Sequence, residues 1–513
     1  MSRLPVLILI LFLLPLAFVW IPGTSESFDT PSDRSIDWQL LYVTVLVTSV
    51  SAVLAVVIGT WLAMLLVLCS FPWRALWATL VVIPFLCPGT VWALGQSYCY
   101  GPGGLVERFA GDAWRPFLAS LNHGQYASTI WVTAQIHAPL AMLIVGRGLA
   151  RLGGMGFEST RLIASPWQRL RWLWSAVRPE TTSAFLLITA LGLGNFAVPH
   201  VLQCRLYSIE IYMRMTNYLD RVGAFWTSLP LVVLAVLAAV GFAMMERRRD
   251  YAATDLNPRA AFVDLGRWRW LAVAGMVTYF TVTTFLPIAA IVYECRSVAK
   301  FAAATQDAIP EIRNTLLVAV TATFLAVVGG IVVGMWISHR RSLFGEALTM
   351  TLLGVPALIL GLAYIRFFNV DGVIAALITS GSTLVILGLA ARALPFAVRV
   401  LSTGHRRLAP QWDESAKLSG MNPWQRWRWI VGPLMLNHIG VSAILAFCIA
   451  AGEVELNQML CAPGHGTLVL RLFTYLHFGP IHVAASLALL QILIVLLPTA
   501  LYFLLTSRHP EII

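Results

Sequence analysis

In the stretch "LAPQWDESAKLSGMNPWQRWRWIVGPL" (residues 408–434) the order of residues reads as two helices and the turn between them. Pro410 suits the first turn of a helix, where its missing N–H costs nothing. Asp413 and Glu414 follow close behind, near the positive end of the helix dipole, and Lys417 lies toward the negative end. Gly420 fits the left-handed residue that closes a helix. A short exposed helix is therefore expected over 410–419. Asn422 is then a good N-cap and Pro423 a good first residue, so a second helix starts at "PWQR". It carries Trp and Arg together, the pairing expected where a helix meets lipid headgroups. Long Arg stems can run along apolar surface while their heads stay in water.

The phrase "NPWQRWRW" at Asn422 has a near copy, "SPWQRLRW", at Ser165. Both copies sit among apolar runs. The chain of 513 residues is 58% hydrophobic and 12% charged, about half the charge of an average soluble chain. Runs long enough to cross a bilayer, about 20 residues each, recur along its length. They lack the period-two alternation of a β-barrel. The expectation is an all-α polytopic membrane protein with about twelve transmembrane helices, near 4–22, 39–69, 75–99, 128–150, 181–203, 224–245, 268–293, 313–338, 345–368, 376–400, 434–457 and 482–506.

The likeness extends beyond the two phrases. "VVIPFLCPG" at 81–89 pairs with "LGVPALILG" at 353–361, setting Pro84 against Pro356 and Gly89 against Gly361. "HAPLA" at 137–141 pairs with "ALPFA" at 393–397, setting Pro139 against Pro395; Gly148 pairs with Gly404 and Glu158 with Glu414. The chain thus reads as two six-helix halves, 1–250 and 251–513, joined by an Arg-rich linker near 246–267. Six is even, so both halves enter the membrane in the same sense, as a parallel repeat. The inter-spanning segments richest in Lys and Arg are 151–179, 246–269 and 401–433, which places both termini in the cytoplasm.

The same bias accounts for the net charge of +11 without invoking nucleic acid. The seven cysteines form no CxxC and no Cys/His set with zinc spacing. Cys99, Cys204, Cys295 and Cys461 fall near expected outer ends of helices, where a disulfide is conceivable, but small apolar filler is the expected role. The first apolar run is read as a retained helix rather than a secretory signal, since no small-x-small cleavage pattern follows "LAFVWIPG". No GxxxxGK[ST] phosphate loop occurs. If ATP drives this chain, another chain binds it.

At Glu414, Ala416, Gly420, Ile430 and Pro433 the chain resembles the permease subunits of ATP-binding-cassette (ABC) importers, whose cytoplasmic loop reads Glu-Ala-Ala, three residues, Gly, nine residues, Ile, one residue, Leu-Pro. Ser415 replaces the first Ala and Gly432 the Leu. The first copy has drifted: Glu158 is kept, Ser159 and Thr160 replace both alanines, Ala164 stands for the Gly, and Pro179 is displaced. The resemblance implies the type I ABC importer permease fold, with a coupling helix near 151–179 and another near 404–433. Its coupling residues would be Glu158, Ala164, Pro166, Trp167, Glu414, Ala416, Gly420 and Pro433. It also implies a bacterial inner-membrane location, two copies of an ATPase subunit that hold ATP and Mg, an external solute-binding protein, and no catalytic residue or cofactor in this chain. Transport would proceed by alternating access.

Fused two-half members of this class include ferric-iron and thiamine permeases. "GEVELNQMLCAPGHGTLVLRLFTYLHFG" at 452–479 is similar to the iron group, so ferric iron is the expected substrate and thiamine or another small solute the alternative. Charged groups inside spans default to functional hypotheses. Glu453 and Glu455 end the eleventh span, with Asn195 and Ala197 as their counterparts, which makes a one-sided acidic pair; an interfacial position is the other reading. His137, Arg392 and His438 are expected as hydrogen-bond partners between helices rather than ligands. No set of residues has metal-site spacing. A major-facilitator transporter would also form two parallel six-helix halves, but its distinctive Asp-Arg loop between spans 2 and 3 is here only "SFPWRA".

Overall fold

Small residues face inward and large apolar ones outward along Ile309–Arg340, the reverse of a soluble helix. Ala319, Ala322, Ala326, Gly330 and Gly334 are buried, while Leu317, Val320 and Phe324 are more than half exposed. In lipid there is no hydrophobic drive between helices, so close backbone packing of small residues holds them together. The computed structural model describes residues 4–19, 35–110, 125–151, 165–218, 220–247, 263–340, 342–368, 381–408 and 410–506. Among these, secondary structure is helical except for one two-residue parallel ladder, Cys69–Ser70 beside Val263–Asp264.

Among the described residues, eight helices are long and apolar enough to cross a membrane, or ten if each of two bent pairs is one span. The expected twelve spans run partly through residues outside those described. Leu4–Val19 and Leu468–Phe478 are short for a span. The expected span 181–203 is not one helix either. Pro166–Leu193 ends at Gly194, and Ala197–Val201 is a separate short helix. The opening of Pro166–Leu193 carries Arg171, Arg178 and Glu180, which lower its apolar character.

The two bent pairs are Arg74–Leu86 with Gly89–Phe109, bent by 102°, and Leu343–Gly354 with Ala357–Phe368, bent by 100°. Each break ends in a proline, Pro88 and Pro356. Proline cannot donate to the preceding turn and disfavours a helical residue before it. The break therefore sets Pro88 against Pro356, where the sequence pairing sets Pro84 there. Pro84 lies in the first turn of its own short helix, Ile83–Leu86, where it costs nothing.

Residues cluster into two compact units. One comprises Met1–Phe28, Asp307–Phe473 and Leu490–Ile513; the other comprises Asp29–Gln306 and Thr474–Leu489. These units divide the chain differently from the halves 1–250 and 251–513. Leu4–Val19 packs on Ala357–Phe368 and Ile309–Arg340, in the unit of the later sequence, and Leu286–Glu294 packs on Gly89–Tyr100, in the unit of the earlier sequence.

Each unit holds one especially close helix pair. Trp38–Ala63 lies on Gln125–Arg151, and Ile309–Arg340 lies on Thr383–Arg407. A Cβ added at Gly59 would come within 2.5 Å of the Ala141 Cβ, and one at Gly330 within 2.9 Å of the Ala397 Cβ. Ala141 and Ala397 each lie two residues past the paired prolines Pro139 and Pro395. The same small-on-small contact thus recurs in both units.

Candidate functional site: an exposed helix and a buried charge pair

Pro410–Leu418 is a separate exposed helix, as the sequence implied. Its end is a complete Schellman motif. The Met421 N–H donates to the Ala416 carbonyl (3.2 Å) and the Gly420 N–H to the Lys417 carbonyl (3.0 Å). Gly420 has φ +74°, and nothing lies within 4 Å of where its Cβ would be. The glycine is there for its backbone, not for space. Ala416 is buried (3% exposed), whereas Glu414 is exposed and Trp412 and Leu418 are 58% and 90% exposed.

The next helix starts with a capping box. The Gln425 N–H donates to Asn422 Oδ1 (2.8 Å) and the Asn422 N–H to Gln425 Oε1 (3.0 Å). Ser165 and Gln168 make the same reciprocal pair at the start of Pro166–Leu193. The recurring phrase is thus a helix start, with Pro166 and Pro423 in the first turn. Trp167, Trp424 and Trp429 are exposed, and the Arg428 guanidinium lies 5.5 Å from the Trp429 ring centre. The helix does not stop at the surface. A π-helical turn, Trp427–Val431, joins it to Gly432–Gly452, so a single span runs over Pro423–Gly452. Pro433 sits in the first turn after that bulge and is exposed. Glu158 and Ala164, assigned to the first coupling loop, lie outside the described residues.

Trp427 and Val431 pack with Leu408 around buried Ala397, Leu401 and Met435. Arg406 makes a 2.6 Å ion pair with Glu346 at the start of Leu343–Gly354. The exposed helix is therefore held between the ends of two packed helices, Thr383–Arg407 before it and Pro423–Gly452 after it.

Those two helices meet again at a buried pair. Arg392, inside Thr383–Arg407, lies 3.8 Å from the carboxylate of Glu453, which follows Gly452. Their side chains are 12% and 14% exposed. The Arg392 Nη1 also donates to the carbonyls of Leu353 and Val355, both at 3.1 Å. These carbonyls lie at the 100° break, where the helix cannot satisfy them. Glu453 occupies the N-cap of Val454–Leu460 but makes no side-chain cap bond; its carboxylate turns to the arginine instead. Glu455 is 5% exposed. Glu453 is the acid that lies beside Arg392 at 3.8 Å.

In the other unit three buried polar side chains meet. Gln135 Oε1 accepts from Gln96 Nε2 (2.6 Å) and Trp92 Nε1 (3.4 Å), all buried. Asn195 follows the end of Pro166–Leu193, and its Oδ1 accepts from the Val198 N–H (3.2 Å). The sequence signal for Gln96 and Gln135 is an amide inside an apolar run. His137 bonds the Thr133 carbonyl of its own helix (2.8 Å), not a neighbouring helix. His438 instead fills the space beside Gly404, where a Cβ would meet its ring at 2.5 Å. All seven cysteines are free thiols.

Residues 326–509 match the family of binding-protein-dependent transport system inner membrane components. That family comprises transport permeases of ABC systems, not enzymes. The matched segment contains Arg392, the Pro410–Leu418 helix, Gly420 and Glu453. The chain is also similar to a Salmonella typhimurium (strain LT2) protein provisionally named as the 2-aminoethylphosphonate transport system permease protein PhnV. The two are 24% identical over 196 residues, 36% of this chain and 71% of the relative. The like-named proteins of Salmonella choleraesuis (strain SC-B67) and Salmonella typhi match at the same identity, over 36% of this chain and 71% and 72% of their own length. Over residues 326–509 the chain is thus similar to inner-membrane permease components of the binding-protein-dependent class.

Proposed function

We propose that this chain is a fused, two-half permease of an ABC importer that moves a small solute inward by alternating access. One observation carries the reading: the two helices that clamp the exposed Pro410–Leu418 helix are the ones that bear Arg392 and Glu453. A push on that helix travels along Thr383–Arg407 and Pro423–Gly452 to the pair that pins the break at Gly354. The type I fold, twelve spans in two parallel repeats and cytoplasmic termini all belong to this reading. So do two ATPase copies holding ATP and Mg, an external solute-binding protein, and coupling roles for Glu158, Ala164, Pro166, Trp167, Glu414, Ala416, Gly420 and Pro433. Asn195, Glu453 and Glu455 are assigned to the solute path.

For the substrate we carry two readings. The pattern at 452–479 favours ferric iron. The names of the relatives favour 2-aminoethylphosphonate. Thiamine is the next candidate. The deciding experiment reconstitutes the chain with its ATPase and binding protein in lipid. ATP hydrolysis is then measured with the binding protein loaded with each solute. The true substrate raises hydrolysis well above the unloaded binding protein. Uptake driven by an ion gradient with no ATPase present would instead make this a secondary transporter.

A further inference from the structure

Among the described residues, two pairs of histidines lie ring to ring. His200 and His477, both in the unit of Asp29–Gln306 and Thr474–Leu489, have ring centres 4.9 Å apart. A divalent ion bound to an imidazole nitrogen at about 2.0–2.1 Å lies about 3.2 Å from the ring centre. Two such rings stand about 4.5 Å apart for a right angle at the metal and about 5.2 Å for a tetrahedral one. The observed separation falls between these limits.

The rings are held in place by independent structure. His200 lies in the last turn of Ala197–Val201. That helix is closed by Gln203 at φ +53°, whose N–H donates to the His200 carbonyl (3.2 Å), while the Cys204 N–H donates to the Pro199 carbonyl (2.8 Å). This is a Schellman closure built without glycine. Fully buried Phe196 packs against the His200 ring at 4.7 Å, and Tyr212 stands edge-on at 5.9 Å. His477 is exposed and lies in the last turn of Leu468–Phe478. Both histidines thus sit at negative helix ends, which favour cations.

We infer that His200 and His477 form a two-imidazole site for a divalent transition-metal ion of the zinc, nickel or copper class, which imidazole suits, with water completing the coordination. The second pair, His339 and His405, has ring centres 4.7 Å apart and is a built-in control. There Arg340 and Arg407 adjoin the histidines in sequence and add positive charge.

The test uses the untagged full chain in lipid nanodiscs, without ATPase or binding protein, so its outcome is independent of the transport reading. Copper(II) is titrated and followed by electron paramagnetic resonance, and nickel(II) by calorimetry. The wild type is expected to show a copper signal split by two nitrogens. His477→Gln, at an exposed position that leaves the fold intact, is expected to weaken binding about tenfold or more. The double variant H200Q/H477Q loses the signal, and H339Q/H405Q keeps it. Binding unchanged in His477→Gln, or lost only in H339Q/H405Q, overturns the assignment.

Discussion

Arg392 spans the gap between a broken helix and the end of another span: it lies 3.8 Å from the Glu453 carboxylate while donating to two carbonyls at the break before Pro356. One side chain thus neutralises an acid and satisfies backbone groups that the break leaves without helical partners. Removing one member of a buried pair costs about 3–5 kcal/mol, because the other charge is stranded. Arg392→Leu strands both the acid and the carbonyls, whereas Glu453→Gln leaves a neutral group that can still accept. Arg392→Leu is expected to lower the melting temperature of the purified chain more than Glu453→Gln, and to abolish uptake. Equal effects of the two would argue against the arginine's double role.

Gly420 lies in open space at φ +74°. Gly420→Ala is therefore opposed by its backbone, about 1–2 kcal/mol, and not by a clash. The helix Pro410–Leu418 loses its closure while the spans stay folded. Membrane level and melting temperature are expected to hold, and substrate-stimulated ATP hydrolysis to fall severalfold. Undiminished stimulation would separate this helix from coupling.

Gly330 presses on Ala397. Gly330→Val must separate Ile309–Arg340 from Thr383–Arg407, with an overpacking cost of about 1–3 kcal/mol. Gly59→Val should do the same against Ala141. Both are measured as a lowered melting temperature in detergent, with the larger drop at Gly59, where the approach is closer and includes the Ala138 carbonyl at 2.6 Å.

Asn422→Ala and Ser165→Ala each remove an N-cap and break a reciprocal pair with Gln425 or Gln168. The loss is about 0.5–2 kcal/mol of local helix stability. It should appear as faster amide exchange in the first turn after each cap, while Asn422→Asp restores protection. No change at either site would mean that the first turn is held by other contacts.

Much of the exposed element between the two spans was legible in the chain. Pro410, Gly420, Asn422 and Pro423 act through local rules of the backbone, so their positions alone predict where helices start and stop. The phrase shared by Ser165 and Asn422 is such a local device. The breaks within apolar runs were less legible. Hydropathy over 345–368 or 181–203 sees only apolar residues, whereas Pro356 and the turn at Gly194 break the run. The pairing of Pro84 with Pro356 failed for a similar reason. Residue identity cannot say which proline ends a break and which sits harmlessly in a first turn.

Reading the chain alone settles what depends on near neighbours and on averages: a helical membrane protein, the exposed helix closed at Gly420, and an acid at the end of a span. The packing settles what depends on distant segments meeting. Arg392 reaches Glu453 because two helices that part at Pro410–Leu418 come together again further along. Leu4–Val19 leaves its sequence neighbours to pack on Ala357–Phe368. Apolar helices in lipid carry no strong preference for one partner, so close approach at small residues and the need to satisfy buried charge and carbonyls choose among them. Those choices appear only when the whole chain is folded.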